Sequence, residues 1–140
     1  VKTVYRLLDM GIRPYIIRAA IRAIVGQRLL RRLCPICRLP YQVQQNSREG
    51  HFIGEAYRPE DIYYHHNPQG CPQCGHTGFI GRIAIHEILC FSEELSEEPK
   101  DKEVGASLIS SDCLLSTMRE DGIAKALAGE IQLEELMNIF

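Results

Sequence analysis

Two Cys-x-x-Cys pairs constrain the fold of this chain more than any other feature of its sequence. One pair lies in the stretch CPICRLPY and the other in CPQCGHTGFIGR; the four residues are Cys34, Cys37, Cys71 and Cys74. A Cys-x-x-Cys turn can direct both of its sulfurs to one point, and two such turns supply the four thiolates that zinc favours in a closed structural site. We therefore predict that these four cysteines bind a structural zinc ion, which holds the intervening loop and the strand that follows it.

The loop of residues 38–70 is longer than the roughly 15–20 residues that are common between such pairs. Each doubling of loop length costs only about 0.6 kcal/mol of closure free energy, whereas a structural zinc site contributes roughly 10–16 kcal/mol near neutral pH. The length of the loop is therefore no argument against a zinc site.

Three other uses of the four cysteines stay open from the residues alone. Cys-Pro-x-Cys-Gly turns also occur in iron–tetrathiolate electron carriers, and two disulfides would form in an oxidising compartment. Redox chemistry is the third use, but it needs one pair near a helix start rather than two matched pairs. His76 lies two residues past Cys74, and with four sulfurs available we expect it outside the ligand set.

The composition is that of an ordinary globular protein, with 45% apolar and 24% charged residues. A length of 140 residues allows one domain or two small ones, and because the chain starts at Val1 we interpret it as a fragment of a longer protein. Its most apolar region, residues 12–30, contains four arginines, which excludes a membrane span there.

Residues 1–40 carry nine Lys or Arg and one acid, whereas residues 41–140 carry seven Lys or Arg and 17 acids. This asymmetry predicts an electrostatic contact within the chain, between subunits or with an anion, although a solvated face would also explain it.

The order of elements predicts an α+β fold that is mainly α. We expect a helix over residues 2–9 that stops at Gly11, and a second helix from Pro14 toward Leu33. Residues 41–70 are polar and predict a loop with one short helix near 59–63. The alternation in GFIGRIAIHEIL predicts a strand over residues 78–89. An acidic linker at 92–105 and a helical block that Gly129 divides complete the chain.

No catalytic constellation is present in the sequence. It contains no G-x-x-x-x-G-K-[ST] phosphate loop, no G-x-G-x-x-G fingerprint, no G-x-S-x-G elbow and no H-E-x-x-H helix. His86 and Glu87 are neighbours on a predicted strand, so their side chains should point to opposite faces and not act as an acid–base pair. We therefore predict no catalytic residue and no cofactor-binding residue apart from the metal ligands. Nucleic-acid binding is not expected either, because the chain is acidic beyond residue 40 and has no aromatic platform.

Four segments, taken in order, resemble one protein family. They are RLLDMGIRPYII (6–17), GQRLLRRLCPIC (26–37), GCPQCGHTGFIGRIAIHEIL (70–89) and MREDGIAKALAGE with LEEL (118–136). They resemble the C-terminal part of the bacterial secretion ATPases, which comprise the type II secretion ATPases (general secretion pathway protein E) and the type IV pilus assembly ATPases. The most specific part is the continuation T-G-[FY]-x-G-R and [IY]-[HY]-E after the second cysteine pair.

The resemblance implies a fold and a function for the chain. It implies a fragment of a RecA-like hexameric ATPase at the cytoplasmic face of the bacterial inner membrane, working with secretion or pilus platform proteins. Residues 1–33 would be terminal helices of the ATPase core, residues 34–89 the tetracysteine zinc-binding subdomain, and residues 90–140 the acidic linker and C-terminal helical segment. In the family the four cysteines bind zinc, whereas ATP and Mg²⁺ would bind only in the full-length enzyme, whose phosphate loop lies upstream.

Two details refine the resemblance. His86 in IHEIL favours the type II secretion members over the pilus members, which more often have tyrosine there. The family usually has threonine where this chain has Ile131, so we expect the last helix to lack a side-chain cap worth about 1 kcal/mol, and to fray or begin later.

A rival hypothesis is a free-standing zinc-ribbon module that binds nucleic acid or protein. A third is an iron–thiolate redox protein. A phosphate loop upstream of Val1 would favour the ATPase, and a coloured protein would favour iron.

Overall fold

The computed structural model describes residues 2–90 and 114–140, and the predicted acidic linker at 92–105 lies outside them. The described helices are α1 (Lys2–Asp9), α2 (Pro14–Ala20), α3 (Arg48–Ile53), α4 (Met118–Leu127) and α5 (Leu133–Met137). The described strands are β1 (Ala23–Leu33), β2 (Leu39–Gln42), β3 (Ile62–His65), β4 (Phe79–Cys90) and β5 (Leu114–Ser116). The fold is therefore mixed α+β. Because helices and strands occupy similar lengths of the described chain, the expected excess of helix is not confirmed.

The chain divides into two compact units, and the described residues of the first are 2–26, 87–90 and 114–117. Within it, α1 and α2 each bury one apolar residue, Val4 and Ile17. The predicted helix that stops at Gly11 is confirmed, and so is Pro14 in the first turn of α2. In the same unit, β4 pairs antiparallel with β5, and Ile88 lies opposite Ser116.

The predicted helix from Pro14 toward Leu33 is wrong beyond Ala20. The backbone of Ile21 is already extended, with φ −98° and ψ 120°, and residues 23–33 form β1, which lies next to β4 in a sheet of order β1-β4-β5. Ile24 and Val25 are β-branched and Gly26 is a poor helix former, so the local preference for helix is weak. The spacing of Ile17, Ile21 and Ile24 fits one face of a helix, but pairing with β4 overrides that pattern from residue 23 onward.

The second unit comprises residues 27–86 and 118–140. In it, β2 and β3 form an antiparallel pair that runs from Leu39 opposite His65 to Gln42 opposite Ile62. The prediction of a loop over 41–70 with a helix near 59–63 is therefore wrong. The helix of this region is α3, which begins after Ser47, whose Oγ accepts a hydrogen bond from Gly50 N at 3.0 Å.

One apolar core lies in the second unit, and residues of β1, β3, β4, α3 and the last two helices contribute to it. Its buried members are Leu30, Val43, Ile53, Tyr63, Ile85, Ile123, Ala126, Ile131, Leu133 and Leu136. The predicted strand at 78–89 and the two C-terminal helices on either side of Gly129 are confirmed. The helical block was expected to include Leu114 and Leu115, and this part is wrong, because residues 114–116 form β5 and pair with β4. The N-cap of α5 is Gln132, one residue after Ile131, and it makes no side-chain capping hydrogen bond. Ile131 itself is fully buried. Among the helices that the structure describes, none has the length and apolar character needed to cross a membrane.

Candidate metal centre

The first cysteine turn begins where β1 ends. Cys34 follows the last residue of β1, and its N–H donates to Gly78 O at 2.9 Å. The turn closes when Arg38 N donates to Cys34 O at 3.1 Å. The end of β1 and the hydrogen bond to Gly78 therefore fix the position of Cys34. The turn that follows places Cys37 near Cys34.

The second cysteine turn is a short 3₁₀ helix, Pro72–Cys74. After it the chain turns back through Gly75 and His76, both at positive φ, and His76 N donates to Cys71 O at 2.9 Å. Gly78 also has a positive φ of 75°, and a Cβ there would lie 2.6 Å from Asn67 O. Only glycine fits this position. The carbonyl of Gly78 accepts the hydrogen bond from Cys34 N, which connects the second cysteine turn to the first.

The two turns place four sulfurs around one point. Cys34 Sγ lies 3.7 Å from Cys71 Sγ, Cys37 Sγ lies 3.9 Å from Cys74 Sγ, and the sulfurs of Cys71 and Cys74 are 3.7 Å apart. All four lie within 4.8 Å of one another. A regular tetrahedron with metal–sulfur bonds of about 2.3 Å has sulfur–sulfur edges of about 3.8 Å. The four cysteines therefore have the spacing to hold a single metal ion, and they are free thiols rather than disulfides.

Backbone N–H groups favour negative charge on part of this cluster. Burial alone raises the pKa of Cys74, but N–H donors from Cys71 and Gly78, each 3.2 Å from its sulfur, lower that pKa to about 6. In Cys34, burial is likewise outweighed by the N–H groups of Cys37 and Ile36, so that its pKa is lowered. Desolvation and the sulfurs around it raise the pKa of Cys37 to about 12. These N–H groups thus favour the ionised form of Cys34 and Cys74, which is the form of cysteine that binds a metal ion.

His76 lies outside this cluster. Its side chain is exposed, and its Nδ1 lies 3.3 Å from Gln69 O. The metal-binding group found among the described residues consists of the four cysteines.

His86 belongs to a polar cluster that sequence reasoning missed. Its backbone N–H donates to Asp121 Oδ2 at 2.8 Å, and Lys125 Nζ donates to the same oxygen at 2.6 Å. Lys125 Nζ also donates to Ala84 O at 2.8 Å, so the pair fastens α4 to β4. The spacing of Asp121 and Lys125, four residues apart in a helix, was a signal that could have found this pair.

A stack of side chains beside the second turn was also missed. The guanidinium of Arg31 lies 4.1 Å from the ring centroid of Phe79, and the ring of His66 stacks on Phe79 at 5.0 Å. His66 Nδ1 lies 3.0 Å from Oε1 of Gln132, which is almost fully buried. These residues are far apart in the sequence, so no local pattern indicates the stack.

Two ion pairs join the basic N-terminal part of the sequence to its acidic C-terminal part. Arg31 pairs with Glu135 at 3.3 Å and Arg32 pairs with Glu130 at 3.2 Å. Both arginines are about half exposed, so each pair contributes less than about 1 kcal/mol. The two pairs connect the end of β1 to residues 130 and 135 but contribute little to the free energy of unfolding.

Comparison with known proteins gives one consistent result. A family model described as type II/IV secretion system protein matches residues 1–138. The type II secretion system ATPase E of Vibrio cholerae is 36% identical over 141 residues, covering 99% of this chain and 27% of that protein. The type II secretion system protein E of Aeromonas hydrophila is 35% identical, covering 96% and 26%. The type IV pilus assembly ATPase PilB of Myxococcus xanthus is also 35% identical, covering 96% and 24%. The chain thus spans about a quarter of the length of these relatives.

Proposed function

Because this chain belongs to the type II/IV secretion system protein family, we propose that it is the C-terminal part of an ATPase that powers type II secretion or type IV pilus assembly. The chain is similar to proteins named for type II secretion and to proteins named for type IV pilus assembly, which supports including both systems in the proposal. The sequence holds no phosphate loop, so ATP and Mg²⁺ bind in the remainder of the full-length enzyme. The chain's own part is a structural metal site and contacts with partners.

The organisation that we propose follows the family. Residues 1–33 complete a RecA-like ATPase core, residues 34–89 form the tetracysteine subdomain, and residues 90–140 form the linker and C-terminal helical segment. The full-length protein is a hexamer at the cytoplasmic face of the inner membrane. The segment 38–70 is the docking surface for a membrane platform protein or a neighbouring subunit.

The metal is structural zinc bound by Cys34, Cys37, Cys71 and Cys74. The single observation that carries this part is the clustering of the four sulfurs, of which three pairs are 3.7–3.9 Å apart and all lie within 4.8 Å of one another. Four thiolates leave no open coordination position, so the ion holds the two turns together and does no chemistry. Zinc supplies only the bonds; the strand end, the 3₁₀ turn and the N–H donors to sulfur set the ligands in place.

Metal analysis of the purified chain tests the site. We expect about one zinc per chain and a colourless protein, whereas a coloured iron protein would overturn the assignment. The double variant Cys34→Ser with Cys71→Ser should lose zinc and unfold the segment around the two cysteine turns. Cys90→Ser is the matched control, since Cys90 lies at the end of β4 and outside the cluster, and it should keep its zinc. Full retention of the fold after chelation would refute the structural role.

ATP hydrolysis tests the assignment of the whole protein. The 140-residue chain should show no hydrolysis above buffer, whereas the full-length protein should hydrolyse ATP. The same two serines in the full-length protein should lower its activity by weakening its assembly. A salt-dependent shift of an oligonucleotide by the chain, with no ATPase activity in the full-length protein, would favour the zinc-ribbon rival.

A further inference from the structure

The side chain of Arg38 connects the first cysteine turn to the end of α4. Its Nη1 donates to Ala128 O at 3.2 Å and also to Gly129 O. The guanidinium lies 4.2 Å from the ring centroid of Tyr64. Ala128 and Gly129 directly follow Leu127, the last residue of α4, and a cation that binds carbonyls at the C-terminal end of a helix interacts favourably with the helix dipole. Arg38 therefore closes the end of a helix that lies about 90 residues away in the sequence.

The position of Gly129 matches this contact. Its φ of 72° ends α4, and a Cβ there would overlap both Arg38 Nη1 and the ring of Tyr64. Glycine thus serves two purposes at this position, the left-handed turn and the space for the guanidinium.

The other end of Arg38 is fixed by the cysteine turn. Residue 38 follows Cys37 directly, and its N–H donates to Cys34 O at 3.1 Å. A metal ion that binds Cys34 and Cys37 fixes this turn, and so fixes the backbone from which the Arg38 side chain extends. Without the ion, the turn keeps one backbone hydrogen bond and the long side chain regains rotamer freedom.

A second contact runs parallel to the first. Leu33 N, immediately before Cys34, donates to Glu130 O at 2.8 Å. Residues 128–130 therefore receive donors from both sides of the first cysteine turn. Of these donors, the guanidinium is charged and contacts two carbonyls, so it contributes more than the neutral backbone bond.

We propose that Arg38 couples metal binding at the four cysteines to the closure of the α4–α5 connection, residues 128–132. Metal binding holds the connection closed through Arg38, and by reciprocity a closed connection raises the affinity for the metal by the same factor. Arg38 is a positioning residue and not a ligand. The inference rests on the proposed metal site but does not depend on secretion as the function.

Amide hydrogen exchange of the 140-residue chain, with one zinc bound and after chelation, tests the coupling. In the natural sequence, chelation should speed exchange at residues 128–130 by roughly tenfold, within the range typical of coupled sites. In Arg38→Ala, the four sulfurs remain and zinc should still bind, with affinity lowered by about the same factor. Zinc should then no longer slow exchange at residues 128–130 beyond the residual effect of the Leu33–Glu130 bond.

Arg119→Ala is the matched control. Arg119 also lies over an aromatic ring, 5.1 Å from the Phe52 centroid, and also donates to a backbone carbonyl, that of Phe52. It lies on α4 but contacts neither the cysteine turns nor residues 128–130 through these groups. Its loss should destabilise α4 without changing the effect of zinc on exchange at 128–130.

Arg38→Lys gives a second test if Arg38→Ala does not fold. Lysine keeps the charge and the long stem but lacks the planar fork that contacts two carbonyls, so the effect of zinc should shrink without disappearing. Equal protection of residues 128–130 by zinc in the natural sequence and in the Arg38 variants would overturn the coupling. Absence of zinc from the natural chain would instead contradict the proposed metal site, so the two failures are distinguishable.

Discussion

Replacing Gly122 by alanine should destabilise the chain, although the same change stabilises most helices. Gly122 lies inside α4 and is buried against α5. A Cβ at this position would overlap Leu136 Cδ1 and lie 2.8 Å from Leu136 Cδ2. Leu136 is itself fully buried, so its side chain has no free space to move into. The glycine is what allows the two helices to approach each other this closely.

Two opposing terms set the magnitude. Alanine is about 1 kcal/mol more favourable than glycine inside a helix, whereas an extra methyl group in a well-packed core costs typically 1–3 kcal/mol. Because the overlap is with a fully buried side chain, we expect the upper end of that cost. The net loss of unfolding free energy for Gly122→Ala should be about 2 kcal/mol.

Urea unfolding at a constant zinc concentration measures this loss. The chain has no tryptophan, so circular dichroism is the suitable signal. Ala124→Gly, at an exposed position of the same helix, is the control that measures the propensity term alone and should cost about 1 kcal/mol.

A double variant separates overpacking from other effects of the alanine. Leu136→Ala alone should cost about 2–5 kcal/mol. In the presence of Gly122→Ala the new methyl group occupies part of the cavity, so the double variant should lose at least about 1 kcal/mol less than the sum of the two. A Gly122→Ala protein more stable than the natural sequence, or strict additivity in the double variant, would refute the reasoning.

Two further changes test the electrostatics and the backbone of the second unit. Burial alone would raise the pKa of Asp121, but the hydrogen bonds from Lys125 and from the His86 N–H, with the charge of Lys125, lower it. Asp121 therefore stabilises the fold at pH 7 and loses this effect as the pH falls below the ordinary aspartate pKa of about 3.9. Asp121→Asn should cost about 1 kcal/mol at pH 7 and progressively less toward pH 3 in urea titrations. His76 has a φ of 63°, which asparagine tolerates and a β-branched residue does not. His76→Val should therefore lower the free energy of unfolding by roughly 1–2 kcal/mol and His76→Asn should not. Both variants should keep one zinc, and loss of zinc from His76→Asn would contradict its place outside the ligand set.

The parts of the fold that the sequence predicts well are those that local rules determine. Cys-x-x-Cys spacing places two sulfurs in one short turn whatever surrounds it, so the cluster was predictable once two such pairs were seen. The period-two alternation before Cys90 indicates a strand, and the glycines at residues 11 and 129 indicate helix ends. Both signals depend only on residues that are close in the sequence. These features also carried the family resemblance, which the match over residues 1–138 confirms.

The parts that were mispredicted depend on partners far along the chain. The apolar spacing that leads into residues 23–33 fits a helix, but these residues form a strand beside β4. Residues 39–42 and 62–65 are polar enough to resemble loop, but they pair with each other and bury Tyr63. The contacts of Arg38 and Gln132 could not be predicted from local sequence. Arg38 contacts residues 128–129 and Gln132 contacts His66, and both sets of partners are distant in the sequence.

The hydrogen bond from Leu33 N to Glu130 O also bears on how the protein is made. Protein synthesis adds about 5–20 residues per second, so residue 130 is joined to the chain roughly 3–11 s after Cys74, the last of the four cysteines. All four sulfurs exist throughout that interval, but the carbonyls that receive the Leu33 amide and the Arg38 guanidinium do not. The nascent chain therefore passes through a stage in which it can take up a metal ion before its C-terminal helices can close over the first cysteine turn.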